Sequence, residues 1–495
     1  MGIRSSMARD ALLLTLANLA MRAVAMLFQV YLTGQVGAAG VGLLQLILTV
    51  HAFAMTVGTS GIRVAAMYLT AEEYGLDRSH GVRQALLWCV GSGTVLSAAV
   101  GGILFVCAEP LALYWVKDLQ ACASLRLLGM TLPLSCLSAI LAGYFTACGQ
   151  VKRLVAVEIG DRVATIGLTV WLLKLGVPGD LSHACVAIVG GGALASLGSV
   201  AVLLILAWRD LRRAVGPSLS MGSRLVRFCI PVALNDYLRS GLGTLEQFLI
   251  PHGLARCGGS RTQAMADYGT IQGMVFPVLL LPNTVLFALA DLLVPRLARY
   301  RARKDRTGTR RIAGSCLRLS ALFSLAVAGL LFVLAEPLGS LLYQSADASR
   351  YLRLFAPLVP VLYLDCIVDG MHKGLGQQIY CVRVNTLTNL MDVVLLFLLL
   401  PRWGVGGYYV TYVLTHVINF LFSLHRLVRL TRPQVSLRFL LAAAGSTAVA
   451  AGLVFLWVPT ASRWSSVLVS GGLYLTTLLL LLILTGVLDK QETGA

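Results

Sequence analysis

The stretch FCIPVALNDYLRSGLGTLEQFLI, Phe228–Ile250, decides how the chain is read. At about 1.5 Å per residue it is long enough, as a helix, to cross the roughly 30 Å hydrocarbon core of a bilayer. Yet it carries Asp236, Arg239 and Glu246. With Gly243 these follow i, i+3, i+7, i+10 spacing, so they share one helix face and leave the others apolar. An ionisable group at the bilayer centre costs about 2.5–3.5 kcal/mol on insertion scales, which makes each one a candidate functional residue. Such a stripe has to face protein or a hydrated cavity rather than lipid.

Working outward, the rest of the chain has the same character. Of 495 residues, 57% are hydrophobic and only 13% charged, and the mean hydropathy is +0.81. A soluble protein cannot hide that much apolar surface, and disordered, collagen-like and disulfide-scaffold proteins are excluded as well. Fourteen stretches are long and apolar enough to span. The first seven are 11–31, 41–64, 85–107, 125–147, 155–173, 184–208 and 228–250. The second seven are 272–294, 319–335, 352–374, 384–400, 405–423, 439–458 and 465–488. No connection between them is long enough for a soluble domain. The expected fold is all-α and integral to the membrane.

The net charge of +18 is then a matter of placement. With the N-terminus cytoplasmic, most of the 40 basic residues fall in the short cytoplasmic segments, which is the positive-inside pattern. It gives N-in and C-in. The basic run Arg296–Arg311 lacks interleaved aromatics beyond Tyr300, so it reads as a topology signal with contact to anionic headgroups, not as a nucleic-acid patch. The first span is longer than a signal-peptide core and is expected to be retained. The eleven cysteines are scattered, without a CxxC, and read as small packing residues rather than a metal or disulfide framework. No phosphate-binding GxxxxGK[ST] loop, HExxH or serine nucleophile elbow is present, and an integral-membrane transferase would need a catalytic constellation that the loops lack. The expectation is a transporter and not an enzyme, with no cofactor and no metal.

The halves of the chain resemble one another. The first pair of spans holds Arg22, then Gln29, a glycine-rich connection and Gln45. The seventh and eighth spans hold Arg239, then Gln247, a glycine-rich connection and Gln272. Each pair ends on an arginine near the cytoplasmic face, Arg63 or Arg296. Both halves enter the membrane in the same sense, as in transporters built of parallel repeats around a central site. The expected organisation is an N-terminal lobe over 1–215, a C-terminal lobe over 216–430, and two additional helices over 431–495.

Other intramembrane charges extend the pattern. Arg22 and Arg239 fall at mid-depth. Glu158, Asp161, Asp236, Asn385, Asn389 and Asp392 fall between the centre and the cytoplasm, with Asp365 central and Asp369 lower. Asp365 and Asp369 share a face, as do Asn385, Asn389 and Asp392. Together these imply a hydrated cavity opening most easily to the cytoplasm. Helix-to-helix ion pairing, such as Asp236 with Arg239, is the competing explanation. Pro133, Pro231, Pro277, Pro282, Pro357 and Pro360 fall inside spans and mark candidate kinks. His51 and His416 read as packing donors.

Several segments carry a family resemblance. They are LANLAMR (16–22), GAAGVGLLQ (37–45), Ser60-Gly-Ile, Gly143-Tyr-Phe, Ile230-Pro-Val, Leu281-Pro282, Leu293-Val-Pro295 and Gly374-Leu-Gly376. In this order the chain resembles stage V sporulation protein B-like proteins, in the polysaccharide-transporter branch of the multidrug/oligosaccharidyl-lipid/polysaccharide (MATE-like) exporter superfamily. The resemblance implies two pseudo-symmetric six-helix lobes around a central cavity, plus two C-terminal helices. It implies flipping of an undecaprenyl-pyrophosphate-sugar or peptidoglycan precursor across the bacterial cytoplasmic membrane, in sporulation, wall growth or capsule export. The expected partners are that lipid-linked sugar and the surrounding lipids, with no nucleic acid, and the chain acts as a monomer.

Related lipid II flippases bind pyrophosphate through cavity arginines. Arg22, Arg239 and Arg63 are the matching positions, with Asp236, Glu246, Asn385 and Asn389 beside them. A second arginine of that relative's first span is Phe28 here. Asp365, Asp369, Asp392, Glu158 and Asp161 are candidates for coupling to Na+ or H+, the membrane potential being a further drive. The alternative is a cation-coupled multidrug or small-molecule exporter of the same fold.

Overall fold

Apolar runs punctuated by polar capping residues become helices. The computed structural model describes residues 2–59, 61–76, 78–176, 180–212, 221–258, 260–457 and 464–487. Ser60, Arg213, Lys490, the expected boundary at 215/216, the last residues of the two final expected spans and the side chain of Pro231 lie outside the described residues. Every regular element among the described residues is helical.

In chain order the helices are α1 (Gly2–Thr59), α2 (Ile62–Gly75), α3 (Ser79–Val106), α4 (Ala108–Pro110), α5 (Ala121–Ala147), α6 (Val151–Leu175), α7 (Leu181–Leu211) and α8 (Met221–Arg256). They continue with α9 (Arg261–Thr270), α10 (Phe276–Leu280), α11 (Asn283–Ala302), α12 (Arg306–Tyr343), α13 (Ala346–Phe355), α14 (Val359–Gly374), α15 (Gln378–Thr431), α16 (Leu437–Trp457) and α17 (Trp464–Leu484). Side-chain caps start several of them. Asp180 accepts from the Ser182 and His183 amides at the start of α7. Ser260, Asp305 and Ser345 do the same for α9, α12 and α13. Each satisfies backbone donors that a helix start leaves open.

Nine of the described helices are long and apolar enough to cross a membrane, or ten if the bent pair Arg261–Leu280 and Asn283–Ala302 is one span. The fourteen expected stretches are consistent with this. α1 and α15 each hold two of them, divided by non-helical glycines, Gly37 (φ 68°) and Gly404 (φ 53°). Both sit in backbone that side chains with a Cβ avoid. α6 and α8 hold two more, and their charges set them apart from the purely apolar helices. The second stretch does not end at Val64: α1 stops at Thr59, and a left-handed Gly61 starts the separate α2.

Pro282 lies at the bend between α10 and α11, where the axis turns by 58°. Pro277 follows a π-helical turn at Ile271–Val275, and Pro357 lies in a 3-10 turn that leads into α14 at Pro360. Pro133 is carried inside a continuous α5.

Packing divides the chain into two compact units, Gly40–Leu249 and Met1–Ala39 with Ile250–Ala495. The chain passes from one to the other twice, each time inside a helix: in α1 next to Gly37, and in α8 two residues after Gln247. The early unit is built on α3 against α5, α5 against α7 and α6 against α7, with α2 on α3 and α5. Its core includes Leu69, Cys136, Ile140, Tyr144, Phe145 and Leu203. In the late unit α12 is the hub, packing on α13, α14, α16 and α17, while α11 and α15 pack on α14. The additional helices α16 and α17 join α12 through Val333, Ala443, Tyr474 and Leu478. Both units expose large apolar side chains, such as Val95, Val106 and Leu197 in one and Leu441, Leu468 and Leu484 in the other. That surface belongs in lipid, not water.

Candidate functional site

Arg22 lies in the first arm of α1 and in the late unit. Its side chain is exposed, one Nη lies 3.5 Å from the Thr284 hydroxyl, and the guanidinium sits 5.5 Å from the centre of the Phe287 ring. Thr284 in turn donates to the Leu281 carbonyl at 2.7 Å, just beyond the Pro282 bend. An aromatic face and a hydroxyl hold the arginine in place without neutralising it. No carboxylate pairs with Arg22 among the described residues. Six residues on, Phe28 is half-buried and stacks on Tyr31.

Arg239 belongs to the other unit, on the first arm of α8. It is exposed, while Asp236, Gly243 and Glu246 on its face are half-buried. The adjacent Tyr237 donates to the Val57 carbonyl at 3.3 Å, which fixes α8 against the end of α1 within this unit. No ion pair joins Asp236 to Arg239 among the described residues, so the competing explanation for this stripe finds no support there. Arg63, in the first turn of α2, is exposed in the same unit. On α6 Glu158 is exposed, and Asp161 is half-buried and accepts from the Ser199 hydroxyl of α7 at 2.6 Å.

The remaining predicted residues come together in the late unit. Asp392 is buried and accepts from the Thr415 hydroxyl at 2.6 Å. Asp365 accepts from the Asn419 amide at 3.1 Å, and the Asn419 carbonyl oxygen accepts from Thr388 at 3.4 Å. This network ties α14 to both arms of α15. Asn385 and Asn389 are half-buried on the face that leads to Asp392, with Asn385 Oδ1 buried and without a partner. Asp365 Oδ1 and Asp369 Oδ1 are likewise buried without partners. His416 contacts the Tyr412 carbonyl at 2.9 Å, as a packing histidine would. The sequence reading missed Thr415 and Asn419. They are four residues apart in a span that also holds Thr411 and His416, and that i, i+4 polar pair was the available signal.

The late unit also has an apolar cavity of about 580 Å³, lined by Leu325, Phe332, Pro357, Thr447, Ala451 and Phe455 among others.

Two helical units with apolar outsides and charged stripes at helix mid-lengths define a multi-span membrane protein. The match to solved structures agrees. The chain aligns with the lipid II flippase MurJ in its inward closed conformation at a TM-score of 0.72 and 12% identity, over 96% of this chain and 99% of that one. It aligns with an inward-facing multidrug resistance MATE family transporter of the MOP superfamily at a TM-score of 0.66 and 14% identity, over 84% of this chain and 96% of that one. Residues 7–301 match the polysaccharide biosynthesis protein family, and the chain belongs to that family. Residues 260–398 also match the MatE family. Among characterised relatives, stage V sporulation protein B of Bacillus subtilis (strain 168) is 22% identical over 418 residues, covering 80% of this chain and 78% of that protein.

Proposed function

We propose that the chain is a flippase that moves a lipid-linked oligosaccharide or peptidoglycan precursor, an undecaprenyl-pyrophosphate-sugar, across the bacterial cytoplasmic membrane by alternating access. The observation that carries this is Arg22: a guanidinium within a membrane-spanning helix, oriented by Thr284 and Phe287 and, among the described residues, matched by no carboxylate. Such a cation awaits an anion. Pyrophosphate suits it, because guanidinium donors match phosphate oxygens two at a time. Arg239, with Arg63 third, is the other arginine assigned to phosphate. The names of the relatives support the substrate class, since one is a lipid II flippase and another a sporulation protein.

In this reading the sugar-pyrophosphate occupies a hydrated cavity, and Asp236, Glu246, Asn385 and Asn389 meet the sugar hydroxyls. The prenyl tail stays in apolar surroundings, for which the α12–α14–α16 cavity is suitably lined. The N- and C-termini are cytoplasmic, and one chain is the working unit. A coupling ion is assigned to Asp365 and Asp392, whose carboxylates face neutral donors rather than arginines; Glu158 and Asp161 are secondary. That same feature, with the MatE match over 260–398, favours the second reading, a cation-coupled exporter of small molecules.

Liposomes with fluorescent undecaprenyl-pyrophosphate-sugar separate the two. Arg22→Ala and Arg239→Ala are each expected to slow transfer roughly 10–100-fold, the worth of one charge-assisted hydrogen bond at about 1.5–3 kcal/mol. Transfer that survives the double variant rules out the assigned site. Cation-driven drug efflux without any lipid transfer establishes the second reading instead.

A further inference from the structure

A cluster at the end of α14 is explained by neither reading. Asp369 and His372 lie three residues apart on α14, and Cys381 lies in the first turn of α15, across a turn that contains Gly376. One carboxylate oxygen, one ring nitrogen and the sulfur all lie within 4.8 Å of one another. His372 is fully buried, with 0% of its surface exposed; one ring nitrogen faces the Val368 carbonyl one turn back without a well-formed hydrogen bond, and the other has no partner. One oxygen of Asp369 is buried without a partner as well. The Cys381 thiol lies within hydrogen-bond reach of Asp369, but the His372 nitrogen turned away from Val368 and one Asp369 oxygen remain, and each unsatisfied buried polar atom costs about 1–3 kcal/mol.

We propose that Asp369, His372 and Cys381 bind a zinc ion, which staples the C-terminal turn of α14 to the first turn of α15. The donor set selects the metal. A thiolate and an imidazole exclude Na+, Mg2+ and Ca2+, which take oxygen, and fit zinc. Ligand atoms around a tetrahedral zinc lie about 3.5 Å apart, so inward movements of ~1 Å close the site. Charge balance favours it too: one Zn2+ cancels one carboxylate and one thiolate in surroundings poor in water. The other charged groups nearby are Asp365 and Lys373 beside Cys381, which offset one another, and Arg426 beside His372, which adds one positive charge.

The outer contacts are in keeping. The ring of His372 faces the Val368 carbonyl one turn back. A metal-bound histidine commonly directs its free N–H to such an oxygen, which fixes its orientation. Asp369 is only half-buried and gives the ion a way in. Three protein ligands leave the fourth position to water. The triad revises the expectation that every cysteine is a packing residue and that no metal is bound, and it does not depend on what the protein transports.

The test uses the full chain in detergent, purified without a polyhistidine tag and stripped with a chelator. Zinc added back is expected to bind at one ion per chain. Zinc-edge X-ray absorption is expected to show one sulfur at about 2.3 Å with nitrogen or oxygen neighbours. Cobalt as a probe is expected to give a thiolate charge-transfer band that zinc abolishes. Cys381→Ser should lose that band while remaining monodisperse. His372→Gln should weaken zinc binding by more than the roughly 10–100-fold that loss of an outer-sphere partner costs. A zinc shell of nitrogen and oxygen alone overturns the proposal in the wild-type protein, whatever the variants do. So does a cobalt band that persists in Cys381→Ser, or the absence of stoichiometric binding.

Discussion

The two units treat their carboxylates in opposite ways. In the late unit Asp392 is buried and Asp365 is half-buried with one oxygen sealed from solvent, and each is met by a neutral donor, Thr415 or Asn419. In the early unit the acids within the spans stay half-buried or exposed. Its one deeply buried carboxylate among the described residues, Glu73 of α2, is paired with a full positive charge. Arg224 of α8 reaches Glu73 at 2.9 Å and Glu72 at 2.7 Å; Glu73 is 2% exposed and Glu72 41%. Arg224 lies before the seventh apolar stretch, and hydrogen bonding to Glu73, with Glu72 adding to it, raises the guanidinium's pKa above its usual value. Where acid meets cation, the arrangement holds helices together. Where acid meets hydroxyl or amide, the negative charge remains available to something else, and for that reason a coupling ion is assigned first to the late unit, with Glu158 and Asp161 of the early unit secondary.

Removing the cation is the most severe way to probe this difference. Arg224→Ala strands Glu73 in a buried position with no partner, and breaking a buried pair from one side costs about 3–5 kcal/mol. Arg224 itself is 37% exposed, which puts the expected loss at the lower end, near 3 kcal/mol. Thermal unfolding in detergent reads it. Glu72→Ala, removing the exposed partner, should cost about 1 kcal/mol or less. Equal losses for the two would show that Glu73 is not held by the pair.

A smaller effect is expected in the late unit. Asn419→Leu takes the donor from Asp365 and the acceptor from Thr388 together. Thr388 retains the Val384 carbonyl, so only the carboxylate is left short. The expected cost is about 2 kcal/mol. Because this carboxylate faces neutral groups, added Na+ should change the melting temperature of the wild type more than that of Asp365→Asn. The same salt series should leave Arg224→Ala and the wild type shifting in parallel.

What the sequence shows and what it conceals follow from the same physics. Apolar runs of about 20 residues mark helices in lipid without ambiguity, because a spanning backbone has to satisfy its own hydrogen bonds. The central stripe on α8 was visible for a similar reason: Asp236, Arg239 and Glu246 stand out against leucine and glycine. Partners were not visible. Thr415 and Asn419 are uncharged, and a threonine in a helix can bond back to its own turn, as Thr415 does to the Thr411 carbonyl. Spacing alone does not say which hydroxyl also reaches another helix. The exchange of the first arms of α1 and α8 between units was hidden as well, since it occurs inside helices and no loop marks it. The Asp369–His372–Cys381 cluster escaped because its members straddle a turn, and its spacing matches no familiar metal motif.

Asp161 gives the finest discrimination. It is the spanning acid of the early unit that most resembles the late unit's pattern, since its carboxylate accepts from Ser199 at 2.6 Å, the length seen between Thr415 and Asp392. If distance alone defined a site, the two would respond alike. Burial separates them: Asp392 is 6% exposed, while Asp161 is half-buried. In Asp161→Ala, Ser199 keeps the Ala195 carbonyl as an acceptor, so no buried polar atom is left alone. The expected loss is about 0.5–1 kcal/mol, the net worth of one ordinary hydrogen bond. Transfer in liposomes should stay within about fivefold of the wild type, since no more than about 1 kcal/mol is at stake. A transport loss as large as that of Arg239→Ala would move Asp161 from helix packing into the transport path, and the contrast between the units would then have to be redrawn around exposure to the cavity rather than around burial.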